Sequence, residues 1–377
     1  MKDIQMVDLK SQYEKLAPEI DSAIKSVLVS AAFIKGPEVK LFEEELANYM
    51  GVRNVVSCGN GTDALQIAMM ALGLKPGDEV ITTNFTFIAT VEVVALLGLK
   101  LVIVDPDPNT FNISVEAVRK AITSRTRAIV PVHLFGQCAD MEGIMALAKQ
   151  HNIFVIEDAA QATGADYIFS DGSRKKAGTI GNIGTTSFFP SKNLGCYGDG
   201  GALYTNDDAL AKKIRSIANH GMKVRYYHDD IGVNSRLDTM QAAILRVKLK
   251  MLSQFNAARK AVADFYDESF AGCLFITIPE RSMYSSHIFH QYTIKVKNGK
   301  RDDLKKYLES KRIPAMIYYP VPLHVQEAYR YLGYKESEFP VTSSLCGEVL
   351  SLPMHPDLDQ EQLDYIVLNI LKFFEKP

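Results

Sequence analysis

The sequence predicts an α/β protein whose large, mostly parallel sheet domain is followed by a smaller C-terminal α+β domain. Two observations support this prediction. From Val39 onward, short apolar segments alternate with helical patterns of about ten residues, which is typical of βαβ units and a doubly covered sheet. Near residue 250 the alternation gives way to a long helix. We therefore predict a large domain at residues 1–250 and a smaller domain at residues 251–377.

The first half of the chain provides strands and helices in turn. The segment from Val39 to Tyr49 places its apolar side chains on one helical stripe and ends at Gly51. Strand VVSCG follows, and Thr62 is the expected N-cap of helix DALQIAMMAL. In chain order the remaining predicted elements are EVIT, ATVEVVALLG, LVIVD, VEAVRKAI, AIVPV, MEGIMALAKQH and IFVIED, alternately strand and helix.

The pattern changes after Gly178. Two predicted strands, TTSFF and GALYT, enclose the segment around Lys192, and helices are predicted over DALAKKIRSIANH and DTMQAAILRVKLKMLSQF. The last part of the chain then gives a long helix, strand QYTIKV, helix DDLKKYLESK and a final helix near EQLDYIVLNILKFF. No flexible linker separates the two parts, so we expect the domain boundary inside or just before the long helix.

Composition and charge argue against several kinds of partner. The 377 residues are 47% apolar and 23% charged with a formal net charge of −2, so no basic excess indicates nucleic-acid binding. The N-terminus does not resemble a signal peptide, and Glu92 and Lys100 interrupt the longest apolar stretch, which argues against a membrane span. The five cysteines are scattered without a CxxC pair, and the eight histidines form no helical HxxxH pair. We therefore expect a cytoplasmic protein without a bound metal.

A glycine-containing turn, in CGNGTDAL, lies between the first predicted strand and its helix. Open α/β sheets bind ligands at the carboxyl ends of their strands, and the N–H groups at a helix N-terminus suit a phosphate. Thr62 can cap the helix, bind a phosphate through its hydroxyl, or do both. Considered alone, the turn favours a simply capped helix, because it is neither a GxGxxG fingerprint nor a P-loop.

Further candidates lie at or near the other strand ends. Asp158 can bind a metal, a ribose or a protonated ring nitrogen, or it can cap the segment AAQA. Lys192 is flanked by apolar residues and glycines, so burial would lower the pKa of its amine and make it nucleophilic; a surface lysine is the default alternative. Ser187 offers a hydroxyl for phosphate. Phe85 and Phe87 point the same way if their strand continues, and either ring can cover a flat heterocycle or belong to the core.

Together these candidates describe the site of one cofactor. Pyridoxal phosphate requires a phosphate cup, a ring cover, a carboxylate at its ring nitrogen and a shielded lysine that reacts with its aldehyde. None of the four signals is specific alone. Their order and spacing along the chain favour pyridoxal phosphate.

The sequence also resembles a known family. The blocks that follow in order are GNGTDAL, GDEVITTNFTFIAT, AIVPVHLFGQCADM, VIEDAAQATGA, SFFPSKNLG, GDGGALYTND, NHG, GVNSRLDTMQAAIL, YYPVPLH and SLPMHP. They are similar to the nucleotide-sugar aminotransferases of the DegT/DnrJ/EryC/StrS family, from about Asp8 to about Ile366. The resemblance implies the aspartate-aminotransferase architecture (fold type I), pyridoxal phosphate as cofactor and a homodimer.

The resemblance implies a role for each residue that matches a family motif. Lys192 matches the lysine that forms a Schiff base with the cofactor and shuttles a proton, and Asp158 matches the partner of the ring nitrogen. Asn234 matches an asparagine that reaches the phosphate of the neighbouring subunit, so the two active sites of the dimer would be shared. The other implied cofactor contacts are Gln161 near the 3-hydroxyl, Phe87 rather than Phe85 on the ring, and Gly61, Thr62 and Ser187 at the phosphate, with Asp63 beside them.

For the substrates, the resemblance implies transfer of an amino group from L-glutamate to a keto-sugar nucleotide, for cell-surface polysaccharide or amino-sugar biosynthesis. The blocks FFPSKNLGCYGDGG, GVNSRLDT and SLPMHP are similar to enzymes that aminate position 3 of a UDP-linked 3-keto-N-acetylglucosaminuronate. Arg236 would suit the uronate carboxylate or a diphosphate; a surface ion pair is its alternative. Tyr318 and Tyr319 match a substrate-binding pair that often reads His-Tyr, so Tyr318 departs from the family pattern and weakens the transfer of a sugar preference.

Three alternatives stay open at this point. Family relatives that dehydrate a sugar carry a histidine in place of the lysine, whereas position 192 is a lysine here. A regulatory protein that binds the cofactor without turnover is the second alternative, although the chain shows no added DNA-binding module or basic arm. A plain NAD-binding α/β protein is the third, and the glycine turn lacks the dinucleotide fingerprint.

Overall fold

The computed structural model describes residues 3–375. The α-helices are α1 (Leu9–Ser30), α2 (Pro37–Met50), α3 (Gly61–Ala71), α4 (Ala89–Leu96), α5 (Val115–Ala121), α6 (Met141–His151), α7 (Asp208–Ile217), α8 (Thr239–Leu249), α9 (Leu252–Phe270), α10 (Arg301–Ser310), α11 (Pro340–Glu348) and α12 (Gln360–Glu375). The strands are β1 (Asn54–Cys58), β2 (Glu79–Thr83), β3 (Lys100–Val104), β4 (Thr126–Val130), β5 (Phe154–Asp158), β6 (Asp166–Ile168), β7 (Arg174–Lys176), β8 (Ile183–Ser187), β9 (Gly201–Thr205), β10 (Met222–Val224), β11 (Tyr227–His228), β12 (Ile276–Thr277), β13 (Tyr292–Val296) and β14 (Val349–Leu352).

The large sheet has the strand order β1-β9-β8-β5-β4-β2-β3. Strands β8, β5, β4, β2 and β3 are parallel to one another, and β9 is antiparallel to both β1 and β8. Strand β1 therefore runs in the same direction as the five parallel strands. The mostly parallel sheet predicted from the sequence is confirmed.

Helices cover both faces of this sheet because successive side chains along a strand point to opposite faces. Val80 and Val130 pack into the hydrophobic cluster that includes side chains of α3, α4 and α7. The adjacent residues Ile81 and Ile129 pack into a second cluster, which includes side chains of α6. Both faces of the sheet are therefore shielded from solvent, which explains the almost continuous apolar runs of the central strands.

A second hydrophobic core lies in the C-terminal part of the chain. The antiparallel sheet β12-β13-β14 packs with α9, α10 and α12, and Tyr266, Ile294, Leu308 and Ile366 are fully buried between them. Ile4 also belongs to this core. The N-terminal segment therefore lies against the C-terminal part of the molecule.

The sequence pattern did not predict helix α1. The side chains of this helix that are buried are Gln12, Leu16, Ile20 and Val27, which form a single narrow stripe. The rest of the helix is polar, and Pro18 lies inside it. A stripe this narrow, interrupted by a proline, gives little periodic signal, so tertiary packing rather than amphipathic pattern defines α1.

The helix predicted over DTMQAAILRVKLKMLSQF is divided in the structure. Helix α8 ends at Leu249 and α9 begins at Leu252, with Lys250 and Met251 between them. No proline or glycine marks this break, so the sequence pattern predicts one continuous helix where the structure has two.

The carboxyl ends of β1, β2, β5 and β8 lie at one edge of the large sheet, because these strands share a direction. The four segments that follow them are the glycine turn before α3, the segment before α4, the segment after Asp158 and the loop that carries Lys192. The fold therefore brings the main candidate residues of the sequence to one edge, where such sheets bind ligands.

Candidate active site

Lys192 lies in the loop that joins β8 to β9. Two backbone hydrogen bonds close this loop, from Phe188 N–H to Gly200 O (2.7 Å) and from Cys196 N–H to Phe188 O (2.8 Å). The side chain of Lys192 is half-buried, and burial lowers the pKa of its amine to about 8, an effect that the Asp158 carboxylate partly opposes. The amine can therefore be neutral near physiological pH while it keeps some access to solvent.

Asp158 is the last residue of β5 and is 6% exposed. Its Oδ1 accepts a hydrogen bond from Ala160 N–H (3.1 Å), so the local cap that the sequence left open does form. Its Oδ2 accepts a second bond from Thr90 Oγ1 (2.8 Å), in the first turn of α4. Sequence reasoning missed Thr90, although it closes the block TTNFTFIAT, three residues after Phe87.

Glu157, the residue before Asp158, has a structural role. Its side chain is fully buried, and its carboxylate interacts with His133 Nε2 (2.9 Å) and accepts a hydrogen bond from Gly181 N–H (2.6 Å). Because His133 Nδ1 accepts from Ala139 N–H (3.1 Å), its Nε2 carries the ring hydrogen and donates to Glu157. These bonds fix the end of β5, and Asp158 is the strand-end carboxylate that interacts with Lys192.

Gln161 connects the segment after β5 to the C-terminal half. Its Oε1 accepts a hydrogen bond from Phe135 N–H (2.7 Å), and its Nε2 donates to the hydroxyl of Tyr319 (3.1 Å). The ring of Tyr319 lies 6.0 Å from that of Tyr318, centroid to centroid, and both side chains are half-buried. One hydrogen bond therefore joins Gln161, a predicted cofactor contact, to Tyr319, a predicted substrate contact.

Phe85 and Phe87 have different environments. Strand β2 ends at Thr83, so the condition under which both rings would point the same way is not met. Phe85 is 1% exposed and packs edge-on against Phe135 at 6.4 Å. Phe87 is 55% exposed, with its ring centroid 6.4 Å from that of Tyr319. Phe85 is a core residue, and Phe87 presents an open ring face.

The glycine turn before α3 is capped by Asn60. Its Oδ1 accepts a hydrogen bond from Asp63 N–H (2.8 Å), so the expectation that Thr62 caps this helix is wrong. The helix begins two residues earlier than expected, at Gly61 rather than Asp63, which places Thr62 inside the first turn. The first amides of a helix have no acceptor within it, so the N–H groups of Gly61 and Thr62 are available to a ligand.

Ser187 completes the phosphate cup, a name that we use for Gly61 and Thr62 together with Ser187. A Cβ added to Gly61 would lie 2.7 Å from the Cβ of Ser187, so only glycine allows the turn to approach β8 this closely. Ser187 Oγ accepts a hydrogen bond from Phe189 N–H (3.2 Å) and can still donate its own hydrogen. Backbone and hydroxyl donors therefore meet at the positive end of α3, which suits a phosphate.

Ser235 attaches the segment GVNSR to the glycine turn that contributes to this cup. Its Oγ donates to Asp63 Oδ2 (2.6 Å) and accepts from Gly59 N–H (2.9 Å), and the side chain is 2% exposed. The neighbours of Ser235 differ from it: Asn234 is exposed and Arg236 is half-buried. Sequence reasoning selected these two neighbours and missed the serine that holds them.

A group of cationic side chains lies near Arg236. Burial lowers the pKa of Lys35, and repulsion by Arg236 and Arg215 lowers it further. The backbone next to Lys35 is held at the start of α8 by a hydrogen bond from Thr239 N–H to Phe33 O (3.0 Å). No sequence motif marks Lys35, because the fold brings it to Arg236 from a distant part of the chain.

The arrangement fits pyridoxal phosphate by the chemistry of its groups. An amine of low pKa and a buried carboxylate with two hydrogen-bond donors lie at one sheet edge, next to the donor-lined cup and the open ring face of Phe87. Within residues 3–375, no group of three or more His, Cys, Asp or Glu side chains is arranged to hold a metal ion. Over the same residues, none of the helices combines the length and apolar character needed to cross a bilayer.

Comparison with known proteins decides the family. Residues 14–371 match the DegT/DnrJ/EryC1/StrS aminotransferase family. The chain belongs to this family. The resemblance noted in the sequence is thereby confirmed over almost the whole chain.

Three relatives show the range of names within this family. A "pleiotropic regulatory protein" of Geobacillus stearothermophilus is 49% identical over 99% of both chains. A UDP-2-acetamido-2-deoxy-3-oxo-D-glucuronate aminotransferase of Pseudomonas aeruginosa is 47% identical over 96% of this chain and 98% of that protein. A UDP-N-acetyl-3-dehydro-α-D-glucosamine 3-aminotransferase of Acidithiobacillus ferrooxidans is 44% identical over 97% of both.

A solved structure agrees with the family assignment. DesV of S. venezuelae, in complex with a ketimine intermediate, superposes with a TM-score of 0.96 at 39% identity and covers 100% of both chains. The prediction of fold type I is confirmed. This member of the DegT/DnrJ/EryC1/StrS family is a pyridoxal-phosphate-dependent aminotransferase.

Proposed function

We propose that the enzyme transfers the amino group of L-glutamate to a keto-sugar nucleotide, and that the acceptor is a UDP-linked 3-keto-N-acetylglucosaminuronate. The observation that supports this most strongly is the low-pKa amine of Lys192, which interacts with the Asp158 carboxylate at the sheet edge. Two of the relatives are named as aminotransferases of UDP-linked sugars with a keto group at position 3.

The cofactor contacts follow from the donors at the sheet edge. When bound, pyridoxal phosphate supplies an aldehyde that condenses with amines and a ring that accepts electrons. Asp158, held by hydrogen bonds from Thr90 and Ala160 N–H, would pair with the ring nitrogen. The other contacts that we propose are Gln161 at the 3-hydroxyl, Phe87 over the ring, and Gly61, Thr62 and Ser187 at the phosphate.

Lys192 is the proposed catalytic acid and base. Its pKa of about 8 leaves part of the amine neutral at neutral pH, so Nζ can accept the proton from the α-carbon of glutamate. It can later donate a proton to the sugar carbon that receives the amine. An ordinary surface lysine would be protonated almost completely and would be a poor base.

Asp63 and Asn234 are proposed to act at the phosphate in different ways. The Asp63 carboxylate would repel a phosphate, and its Oδ2 already accepts from Ser235, so we place it beside the cup as a support for residues 234–236. Asn234 is exposed on its own subunit and is proposed to reach the phosphate in the partner of a homodimer. Each active site would then contain residues of both chains.

Arg236, Tyr318 and Tyr319 are the proposed substrate contacts. A guanidinium can bind the uronate carboxylate through two parallel hydrogen bonds, whereas a neutral sugar offers it no such partner. Lys35 and Arg215 add positive charge near Arg236, which also suits the diphosphate of a nucleotide sugar. Tyr319 is held by Gln161, so it would meet the sugar close to the cofactor.

We also propose the wider setting of the enzyme. The large domain would span residues 1–250 and the smaller domain residues 251–377. The separate core around Ile294 supports this division, and Ile4, Tyr329 and Phe339 cross it by packing into the core of the other domain. Free cysteines at each of the five positions are compatible with a cytoplasmic location. The proposed chemistry needs no metal, nucleic acid or membrane.

The proposal is tested with two matched acceptors. The purified enzyme is incubated with L-glutamate and either the UDP-linked 3-keto uronate or the corresponding 3-keto-N-acetylglucosamine, and the products are identified by mass spectrometry. We expect the 3-amino sugar from the uronate at least about tenfold faster, and we expect Arg236→Gln to remove this preference. Equal rates with both sugars, or a preference that survives Arg236→Gln, would contradict the uronate assignment.

A regulatory function is the second candidate, because the relative from G. stearothermophilus is named as a regulatory protein. The same incubation distinguishes the candidates. An amino sugar in the product mixture identifies a transferase and a deoxygenated sugar identifies a dehydratase. Binding of the cofactor and of a sugar nucleotide without any product would favour the regulatory protein.

A further inference from the structure

Asn193 follows Lys192 in the chain and is hydrogen-bonded at both ends of its amide. Its side chain is 5% exposed. Nδ2 donates to Asn256 Oδ1 (2.7 Å) and to Ile288 O (3.3 Å), and Oδ1 lies 3.2 Å from His290 Nδ1. These partners lie on α9 and on the segment just before β13. The residue next to the lysine is therefore attached to a part of the chain far from its own loop.

The direction of each hydrogen bond in this group can be assigned. Because Asn193 Nδ2 donates twice, Oδ1 is the acceptor, and the hydrogen between it and His290 belongs to the imidazole Nδ1. Burial lowers the pKa of His290 well below its ordinary value, and the nearby cations Lys192 and Arg259 lower it further. The ring is therefore neutral and keeps this donor over the physiological range.

The partners of Asn193 are themselves fixed in place. Asn256 Nδ2 donates to Thr163 O (3.3 Å), in the segment that follows Asp158 and Gln161. Arg259 is 2% exposed, and its Nη1 donates to His290 O (3.4 Å). Asn193 is thus bound to groups that have little freedom to move, so its own position is strongly determined.

We propose that Asn193 is a positioning residue, which holds the backbone of the Lys192 loop against α9 and the His290 segment and thereby sets the direction of the lysine amine. The inference rests on the proposed function of Lys192. A displacement of about 1 Å at a reacting group can reduce a rate about a hundredfold, so a fixed neighbour has a direct effect on catalysis. A contact that only stabilised the fold would change the free energy of unfolding and leave the bound enzyme's rate unchanged.

Three substitutions test this inference. Asn193→Ala removes all three hydrogen bonds. His290→Leu removes the imidazole donor, whereas His290→Asn places an amide donor near the position of Nδ1 and should restore the bond. The control is Thr293→Val on β13, which removes a buried hydrogen bond to Ser351 Oγ (2.7 Å) that does not involve the Lys192 loop.

Each protein, loaded with pyridoxal phosphate, is compared by four measurements. They are the thermal midpoint, the visible circular dichroism of the bound cofactor, and two constants of the single-turnover reaction with excess L-glutamate: its limiting rate constant and the glutamate concentration that gives half of it. We expect Asn193→Ala and His290→Leu to lower the limiting rate constant about 10- to 100-fold, to alter the circular dichroism and to leave the half-saturating concentration within about twofold. His290→Asn should stay within about threefold of the native rate constant, and Thr293→Val should lower the midpoint without affecting the rate constant or the spectrum.

A native single-turnover rate constant and an unchanged spectrum in Asn193→Ala would overturn the inference, as would a rate constant for His290→Asn as low as that for His290→Leu. If Asn193→Ala does not fold, the comparison of His290→Leu with His290→Asn tests the inference. A native protein that reacts with glutamate but aminates no keto sugar would contradict the proposed acceptor and leave the positioning role intact. A native protein without a bound chromophore would overturn both.

Discussion

At the scale of single residues, the charge of Lys192 depends on two opposing effects. Burial disfavours the ammonium form, and the Asp158 carboxylate favours it. Burial is the larger effect, since the pKa falls to about 8 rather than rising above the ordinary value of 10.5. The lysine therefore loses its proton at a pH where exposed lysines keep theirs.

This shift predicts how the apoenzyme takes up pyridoxal phosphate at different pH values. With a pKa of about 8, the neutral fraction of Lys192 rises from about one tenth at pH 7 to about nine tenths at pH 9. The rate of chromophore formation should therefore rise about tenfold over this range and then level off. A rate that keeps rising to pH 10.5 would show that the reacting amine has an ordinary pKa.

Asp158 gives a second prediction at this scale. Asp158→Asn keeps the size of the side chain but removes the charge that pairs with the ring nitrogen, so the variant should bind the cofactor and be coloured, with kcat lowered at least about 100-fold. Thr90→Val is the matched comparison, because it removes one hydrogen bond to Asp158 and keeps the charge. A fully active Asp158→Asn enzyme would contradict the assigned role.

The sequence predicts residues that stand out from their neighbours and misses those that support them. Lys192 and Asp158 were identified because a charged side chain beside apolar residues or at a strand end is unusual. Thr90, Ser235 and Asn193 were missed, because a small polar residue is unremarkable until the fold shows what it touches. Each of these three side chains forms a hydrogen bond with a group that comes from another part of the chain.

At the scale of elements, the start of α3 and the end of β8 depend on each other. Gly61→Ala would place a Cβ 2.7 Å from the Cβ of Ser187 and would force the turn away from the strand. We expect the Kd for pyridoxal phosphate to increase at least about tenfold, because the donors of the phosphate cup no longer converge.

Ala64 on the same helix allows a control for Gly61→Ala. This residue is fully buried in the hydrophobic cluster that contains Val80 and Val130, so Ala64→Gly disturbs α3 without changing the approach to Ser187. Titration of both apoproteins with the cofactor, followed by absorbance, separates the two effects. Native affinity in Gly61→Ala would show that the close approach is not needed for phosphate binding.

Elements with a strong periodic pattern were predicted well, and elements defined by tertiary contacts were not. The central strands alternate with amphipathic helices, and their order alone indicated the sheet. Strand β14 and helix α1 carry weak patterns and are defined by packing against β13 and α8. The cap of α3 was assigned to the wrong residue because Asn60 and Thr62 are both good caps, and only the geometry of the turn selects Asn60.

At the scale of the whole molecule, the proposed homodimer with shared active sites predicts complementation between two inactive variants. Lys192→Ala lacks the catalytic amine, and Asn234→Ala lacks the group proposed to reach the partner's phosphate. A heterodimer of the two variants has one site with both defects and one intact site. Random assembly of equal amounts should therefore restore about a quarter of native activity.

The heterodimers are obtained by co-expression of the two variants with different affinity tags. Each homodimer, prepared alone, is the control. Activity no greater than the mean of the two controls would show that Asn234 acts within its own chain, or that the sites are not shared.

The central claim is that Lys192 holds the cofactor. A second lysine of low pKa, Lys248, provides an internal comparison for its test. Burial also lowers the pKa of Lys248 to about 8, but that side chain is 1% exposed and its amine lies 5.0 Å from the ring centroid of Tyr197. The measurement is borohydride reduction of the coloured protein, followed by digestion and mass spectrometry. We predict one modified peptide, which carries Lys192, and no modification in Lys192→Ala; a cofactor adduct on Lys248 or another lysine, or none at all, would contradict the account.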